Sequence, residues 1–361
     1  MTDTSITSLP PCEVSWFSAL CDDDYEFLGV PDPALASSWE HCRNIVLTAD
    51  KCGYDNILLP SGYQLGIDTT VFAAAIAPLV KQIRLLMAVR IGEDWPPQLA
   101  RRIATLDRIL GGRLTVNIIS SDLPGEVMDG VPRYQRTVEA MKILKILLNG
   151  DHLDFEGEFY KLKLDPPRIR TISGKCPPLY FGGLSPVARD AAAEAADVYL
   201  MWPDTMDKVT EVVADMKARA AAKGRTLKFG YRAHVIVRET EEEARAYADR
   251  LLSKLDAAQG EAIRAKSLDA ANFGVQRQAE LRGAAGGDGF VEDNLWTGVG
   301  RARSGCGAAI VGDPDQVLAK INAYRAAGME AFILSGYPHA AECDLFARHV
   351  LPRLNHGKLA A

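Results

Sequence analysis

Short runs of apolar and β-branched residues alternate with longer stretches of helical period along the whole chain. The runs VSWFSA (14–19), NILL (56–59), LLMAV (85–89), LTVNII (114–119), LYF (179–181), VYLM (198–201), FGYRAHVIV (229–237) and AFILS (331–335) read as strands. Amphipathic stretches lie between most of them. Leu99, Ile103, Leu106 and Leu110 form one stripe over Pro97–Leu110, and Tyr134–Leu148 and Met206–Lys223 repeat the pattern. Ser38 is placed to cap a helix starting near Trp39, while Gly53 and Gly328 stand where a helix ends and the chain turns toward a strand. Strands that are apolar nearly throughout belong to a parallel sheet covered on both faces. Repeated βα units of this kind predict a single α/β domain over residues 1–361, a (β/α)8 TIM barrel. A doubly wound sheet is the alternative, but no strand run is followed by GxGxxG.

Two segments exceed the repeat. DHLDFEGEFYKLKLDPPR (151–168) alternates like a β-hairpin turning near Glu156-Gly157. Residues 256–306 include LRGAAGGDGFVEDN, rich in Gly and Ala with little regular pattern. Insertions of this length on a barrel hang from the catalytic face, so this one reads as a mobile lid or as a plain surface loop.

Composition narrows the partners. Forty-one Lys and Arg against 47 Asp and Glu give a formal charge of −6, which argues against a nucleic-acid or anionic-membrane surface. No apolar run approaches a membrane span, and MTDTSITSLPPCEVSWF at the start lacks a secretion pattern, so a cytoplasmic protein is expected. The seven cysteines are scattered without CxxC spacing. They read as reduced, small core residues, with no disulfide framework and no metal site.

Barrel enzymes carry their reacting groups at the C-terminal ends of strands. Those positions here supply Trp202, Arg232, His234, Tyr337 and His339, but no HExxH, no HxH and no GxSxG. RAH at 232–234 sets Arg232 and His234 two residues apart on one face of a strand. Buried together, they need either a ligand or a carboxylate. Arg303, in GVGRARSGCGAAIVG at the end of the expected lid, has the planar fork that pairs with sulfonate, phosphate or carboxylate oxygens. In PPLYFGGLSPVARDAAAEAAD (177–197), Gly183, Leu184 and Ser185 fall at a strand-to-helix turn, which suits either a phosphate cradle or a tight connection. His41, His152 and His349 fall on helical or hairpin stretches and read as ordinary structural residues.

The stretches ARRIATLDRILGGRLTVNII (100–119), PPLYFGGLSPVARDAAAEAADVYLMW (177–202), KFGYRAHVIVRETEEEARA (228–246), NLWTGVGRARSGCGAAIVGDP (294–314) and FILSGYPH (332–339) resemble the bacterial luciferase-like flavin monooxygenases, and within them the alkanesulfonate monooxygenases. The resemblance implies an enzyme that uses O2 and reduced FMN (FMNH2), supplied by a separate NAD(P)H-dependent flavin reductase, to cleave a C–S bond and release sulfite and an aldehyde. By the same resemblance Trp202, Arg232, His234, Tyr337 and His339 line the substrate and flavin site, and Arg303 is the lid arginine. Tyr134 and Ser185, with Gly183 and Leu184, hold the FMN phosphate, and Asn117 and Ser120 lie near its ring. A homodimer or homotetramer is implied as well.

The chain departs from the simple alkanesulfonate enzymes after the first strand, where LCDDDYEFLG (20–29) replaces a His-bearing Gly-rich loop, and at Ser61–Leu65, where a Cys is missing. Acidic, amide and aromatic groups there, with Tyr25, Tyr63 and Trp95 nearby, suit sugar hydroxyls, unless Asp22, Asp23 and Asp24 form only a solvated loop. These departures make the chain resemble the sulfoquinovose monooxygenase branch, whose product is a 6-oxo-glucose. Rival readings are a simple alkanesulfonate monooxygenase, a deazaflavin-dependent dehydrogenase on the same barrel, and a non-catalytic flavin-binding protein.

Overall fold

Eight parallel strands close a ring in the computed structural model, which describes residues 9–64, 66–265 and 273–359. In chain order the strands are β1 (Glu13–Phe17), β2 (Asn56–Leu59), β3 (Arg84–Arg90), β4 (Leu114–Ile119), β5 (Leu153–Glu156), β6 (Lys161–Leu164), β7 (Leu179–Gly182), β8 (Val198–Met201), β9 (Lys228–Val237), β10 (Phe290–Glu292), β11 (Leu295–Trp296), β12 (Ala309–Gly312) and β13 (Ala331–Ser335). The ring runs β1-β2-β3-β4-β7-β8-β9-β13 and closes where Glu13, Val14 and Ser15 pair with Ala331, Phe332 and Ile333. These are the eight strands that the apolar runs predict.

Eleven helices accompany them among the described residues: α1 (Trp39–Cys52), α2 (Thr69–Ile76), α3 (Pro96–Ile109), α4 (Gly130–Asn149), α5 (Pro186–Ala195), α6 (Met206–Ala222), α7 (Glu241–Leu252), α8 (Ala257–Ala265), α9 (Phe273–Ala284), α10 (Pro314–Ala326) and α11 (His339–His349). The expected caps form: Ser38 Oγ accepts from the His41 N–H, and Gly53 ends α1 at φ +86°, a conformation that favours glycine. None of the described helices is long and apolar enough to cross a membrane.

The end of the barrel away from the site is held by a buried acid. Glu13 is 0 % exposed, and its carboxylate accepts from Tyr180 OH at 2.7 Å, Asn56 Nδ2 at 3.2 Å, the Leu359 N–H at 3.3 Å and Arg84 Nη1 at 3.4 Å. Four donors from four segments offset its desolvation and explain how an acid begins an otherwise apolar strand.

The two insertions turn out differently. β5 and β6 form the expected antiparallel hairpin, turning at Gly157–Tyr160. The segment expected as an irregular lid instead contains α8, α9 and the antiparallel β10–β11 pair, whose β11 adds to β12 just beyond it, with 266–272 outside the described residues. Its helix α9 is fixed by polar contacts that leave no apolar stripe. Arg277 forks onto both carboxylate oxygens of Asp204 at 2.7 and 2.8 Å, and Gln278 donates to the Pro203 carbonyl at 2.7 Å while accepting from the Gly307 N–H at 3.0 Å. These bonds seat the insertion on the loop that follows β8, beside Trp202.

Candidate active site

The C-terminal ends of the strands surround a cavity of about 280 Å3. Phe17 and the Cys21–Tyr25 loop come from β1, Leu58 and Pro60–Gln64 from β2, Arg90 from β3, Trp202 from the end of β8 and Arg232 from β9. Ile263 and Ala302–Cys306 of the insertion cover it. Gly305 permits this cover: its φ is +85°, and a Cβ there would lie 3.2 Å from the Trp202 ring.

Arg232 is buried, yet no carboxylate among the described residues pairs with it. Its Nη1 donates to the Ala233 carbonyl at 2.6 Å, its Nη2 donates to Ser335 Oγ at 2.8 Å, and the guanidinium lies 4.3 Å over the Phe17 ring. Burial draws its pKa down from the ordinary arginine value, but an arginine remains charged. His234 stands behind it. Its Nε2 faces the Cys306 carbonyl at 3.2 Å, an atom that only accepts, so Nε2 carries the proton and Nδ1 accepts from Ser335 Oγ at 2.8 Å. A directed chain therefore runs from Arg232 through Ser335 to His234. Burial, then the charges of Arg232 and Arg303, hold the imidazole well below its ordinary pKa, so it is neutral at neutral pH.

Arg303 brings the second cation into the cavity. Its Nη1 contacts Asp23 Oδ2 and donates to Tyr337 OH at 3.0 Å. Burial alone would depress its pKa, but the Asp23 carboxylate holds the guanidinium well above the ordinary value. Arg90, 4 % exposed, supplies a third, with its Nε 3.5 Å from Glu93.

Below this layer, Asp24 joins three elements. It takes His41 Nε2 from α1 at 2.9 Å and the His339 N–H at the start of α11 at 3.0 Å, and His339 Nδ1 lies 2.8 Å from Oδ1. Neither ring nitrogen of His339 makes a hydrogen bond of good geometry among the described residues. Trp202, Arg232 and Arg303 thus face the cavity directly, whereas His234, Tyr337 and His339 form its supporting wall.

A second group of expected residues gathers at the ends of β4 and β7. Gly183 opens the strand-to-helix turn, where a Cβ would meet Ala188 Cβ at 2.5 Å and Tyr134 OH at 3.5 Å. Ser185 caps α5 by accepting from the Ala188 N–H at 3.2 Å, and the Gly183 carbonyl accepts from Tyr199 OH at 2.8 Å. Leu184 lies in the same turn and also lines a second cavity of about 240 Å3, which shares Trp202 with the first. Ser120 meets Thr137 of α4 at 2.8 Å, and Asn117 lies half-buried on β4. A glycine turn without room for a side chain, a tyrosine hydroxyl beside it and a capped helix start fit the phosphate of FMN. No group of acids, cysteines and histidines among the described residues could hold a metal ion.

The cavity also contains groups that residue patterns alone do not single out. Arg90 ends a strand without any motif, and Cys21 and Cys306, expected as plain core residues, line the cavity wall. His41, expected as an ordinary helix residue, turns out to hold Asp24. Its signal was the acid-rich loop after β1, which needs partners once folded inward.

A family model described as luciferase-like monooxygenase matches residues 27–331. The chain is 76 % identical over 355 residues to a sulfoquinovose monooxygenase of Novosphingobium aromaticivorans, covering 96 % of this chain and 98 % of that protein. It is 51 % identical over 359 residues to a sulfoquinovose monooxygenase of Agrobacterium fabrum, with 98 % and 93 % covered. Among solved structures, a riboflavin lyase with modified FMN and riboflavin superposes with a TM-score of 0.78 at 19 % identity, covering 97 % of this chain and 94 % of that one.

Proposed function

The chain belongs to the luciferase-like monooxygenase family and is a flavin-dependent monooxygenase, and from that premise we propose that it cleaves the C–S bond of an organosulfonate, with sulfoquinovose the favoured substrate. The observation that carries the reading is Arg232, a buried cation at a cavity wall whose protein partners are three neutral oxygens and an aromatic face. A guanidinium so placed favours an anionic ligand over a neutral one. The names of the two bacterial relatives support sulfoquinovose as that anion.

Bound FMNH2 supplies two electrons, so that one oxygen atom of O2 leaves in water and the other in the aldehyde, with sulfite as leaving group. A separate NAD(P)H-dependent flavin reductase delivers it, and Tyr134, Gly183, Leu184 and Ser185 hold its phosphate with Asn117 and Ser120 near the ring. The chain's own residues do the rest. Arg232 and Arg303 hold the sulfonate oxygens, and the Trp202 indole N–H adds a donor. Tyr337 fixes Arg303, and Ser335 with His234 fixes Arg232. His339, with Nδ1 2.8 Å from Asp24 Oδ1, packs behind them against that carboxylate. Ala302–Cys306 keep water out, which strengthens every charge inside. The proposed setting is the cytoplasm, as a homodimer or homotetramer.

The test is sulfite release from sulfoquinovose and from a medium-chain alkanesulfonate, with FMN, a flavin reductase, NADH and air. Sulfite from the sugar, together with 6-oxo-glucose, is the expected result. Sulfite from the alkyl compound alone would reassign the substrate, and none from either would overturn the reading.

A further inference from the structure

We propose that Asp23 is the residue by which the cavity selects a hydroxylated sulfonate: one carboxylate oxygen holds Arg303 and the other accepts a hydroxyl of the substrate. The inference rests on the sulfonate reading above and assigns its specificity to one atom. Three consecutive acids follow β1, and the structure sets them in three different surroundings. Asp22, in a left-handed turn at φ +54°, is exposed at the rim, where its Oδ1 accepts from the Ser37 N–H at 2.8 Å. Asp24 is turned away into the His41 and His339 contacts and also accepts from the Tyr25 N–H at 2.9 Å. Asp22 meets the cavity only at its exposed rim, so Asp23 is the acid of the three that carries a buried carboxylate oxygen into it. Its Oδ2 is on Arg303, while its Oδ1 is buried without a hydrogen-bond partner among the described residues.

A buried carboxylate oxygen without a donor is costly, and the ion pair with Arg303 engages only Oδ2, leaving Oδ1 unmet. A ligand hydroxyl supplies the missing donor, giving its proton to Oδ1 while the sulfonate meets the guanidinium groups. The two oxygens of one carboxylate are about 2 Å apart, so the hydroxyl that is read belongs to a carbon only a few bonds from the sulfur. Ser61 and Gln64 offer further polar groups on the neighbouring loop after β2, and Tyr25 and Trp202 offer aromatic surface for the C–H side of a sugar. An alkyl chain would leave Oδ1 desolvated and unpaired. That is the arrangement in which a site rejects an analogue lacking a hydroxyl far more strongly than one lacking a methylene.

Asp23→Asn and Asp23→Ala are compared with the wild type in two measurements, kcat/KM for sulfite release from sulfoquinovose and the calorimetric Kd of methanesulfonate, which carries the anion without hydroxyls. The expected result is a fall of about tenfold to hundredfold in kcat/KM for the sugar, with methanesulfonate bound as tightly as before or more tightly, since a carboxylate beside Arg303 has gone. Retained efficiency on sulfoquinovose would overturn the proposal. Equal weakening for both ligands would also overturn it, because Asp23 would then act only by holding Arg303. Methanesulfonate binding shows that each variant is folded, and the isosteric Asn variant carries the test if the Ala variant is not. A wild type that releases sulfite from an alkanesulfonate but not from sulfoquinovose would instead remove the reading on which the proposal rests.

Discussion

Asp24 and His339 are 315 residues apart in the sequence, yet one carboxylate takes the backbone N–H of the other residue at 3.0 Å through one oxygen and 3.2 Å through the second. The contact ties the loop after β1 to the first turn of α11, across the seam where the barrel closes.

The pair makes stability depend on pH. Burial raises the Asp24 pKa, but the His339 charge and the bonds from His339 and His41 outweigh it and hold the carboxyl well below its ordinary value of 3.8. Its contribution is therefore complete above about pH 4 and is lost as the pH falls through 3.8 toward the lower native value, where the unfolded chain takes the proton first. Asp24→Asn should lower Tm at pH 7 and shrink the further fall in Tm between pH 6 and pH 3. Thermal unfolding followed by circular dichroism at these pH values checks both, and an unchanged acid slope would refute the assignment.

Ser335 is the link between Arg232 and His234, so Ser335→Ala should loosen the guanidinium without removing it. Sulfite release should fall about tenfold to hundredfold in kcat/KM, which corresponds to losing one hydrogen bond to a charged group. Ser335→Thr, which keeps the oxygen, should recover part of the loss. Steady-state kinetics on the three proteins decide the matter, and equal rates would show that the hydroxyl does no positioning.

Gly183→Ala should weaken flavin binding selectively. The added Cβ meets Ala188 at 2.5 Å, so the turn must move off the start of α5, while the sulfonate cavity does not include Gly183. KM for FMNH2 should rise about tenfold, with methanesulfonate affinity unchanged in calorimetry. A matched loss for both ligands would count against the cradle.

Gly305→Ala should act on the cover of the cavity. A side chain at φ +85° is strained by about 1 kcal/mol or more, and its Cβ presses on Trp202 at 3.2 Å, so Ala302–Cys306 should stand off the cavity. Trp202 fluorescence in a variant with its other tryptophans replaced should shift to the red as water enters, and sulfite yield per NADH consumed should drop. An unshifted emission with full yield would show that the segment tolerates the methyl group.

How legible this was in the sequence depends on what holds each part. The eight ring strands are legible because successive residues such as Leu85 and Leu86, or Phe332 and Ile333, point to opposite faces of the sheet and are both buried, so the sequence becomes apolar throughout. Helix α9 is not, because Arg277 and Gln278 anchor it through Asp204 and the Pro203 carbonyl, and polar anchors leave no period. β12 is hidden for a similar reason, since Ala309–Gly312 sits among small residues and gains its place by pairing with His234–Val237 of β9. For the candidate site, the residue types at strand ends pointed to Trp202 and Arg232, and the Gly-rich end of the expected lid pointed to Arg303. They could not say that Asp22, Asp23 and Asp24 would face three different ways, because the left-handed turn at Asp22 and the partners His41, Arg303 and His339 come together only in the folded chain.

The seam between β1 and β13 sets the order of events during synthesis. Glu13–Ser15 find their partners only when Ala331–Ile333 exist, and Asp23 meets Arg303 across 280 positions. On a ribosome the first half of the barrel must wait, edge exposed, until β13 has emerged. Without β13 the ring stays open and Arg232 lacks Ser335, so a chain that stops short of it is left to chaperones and proteases.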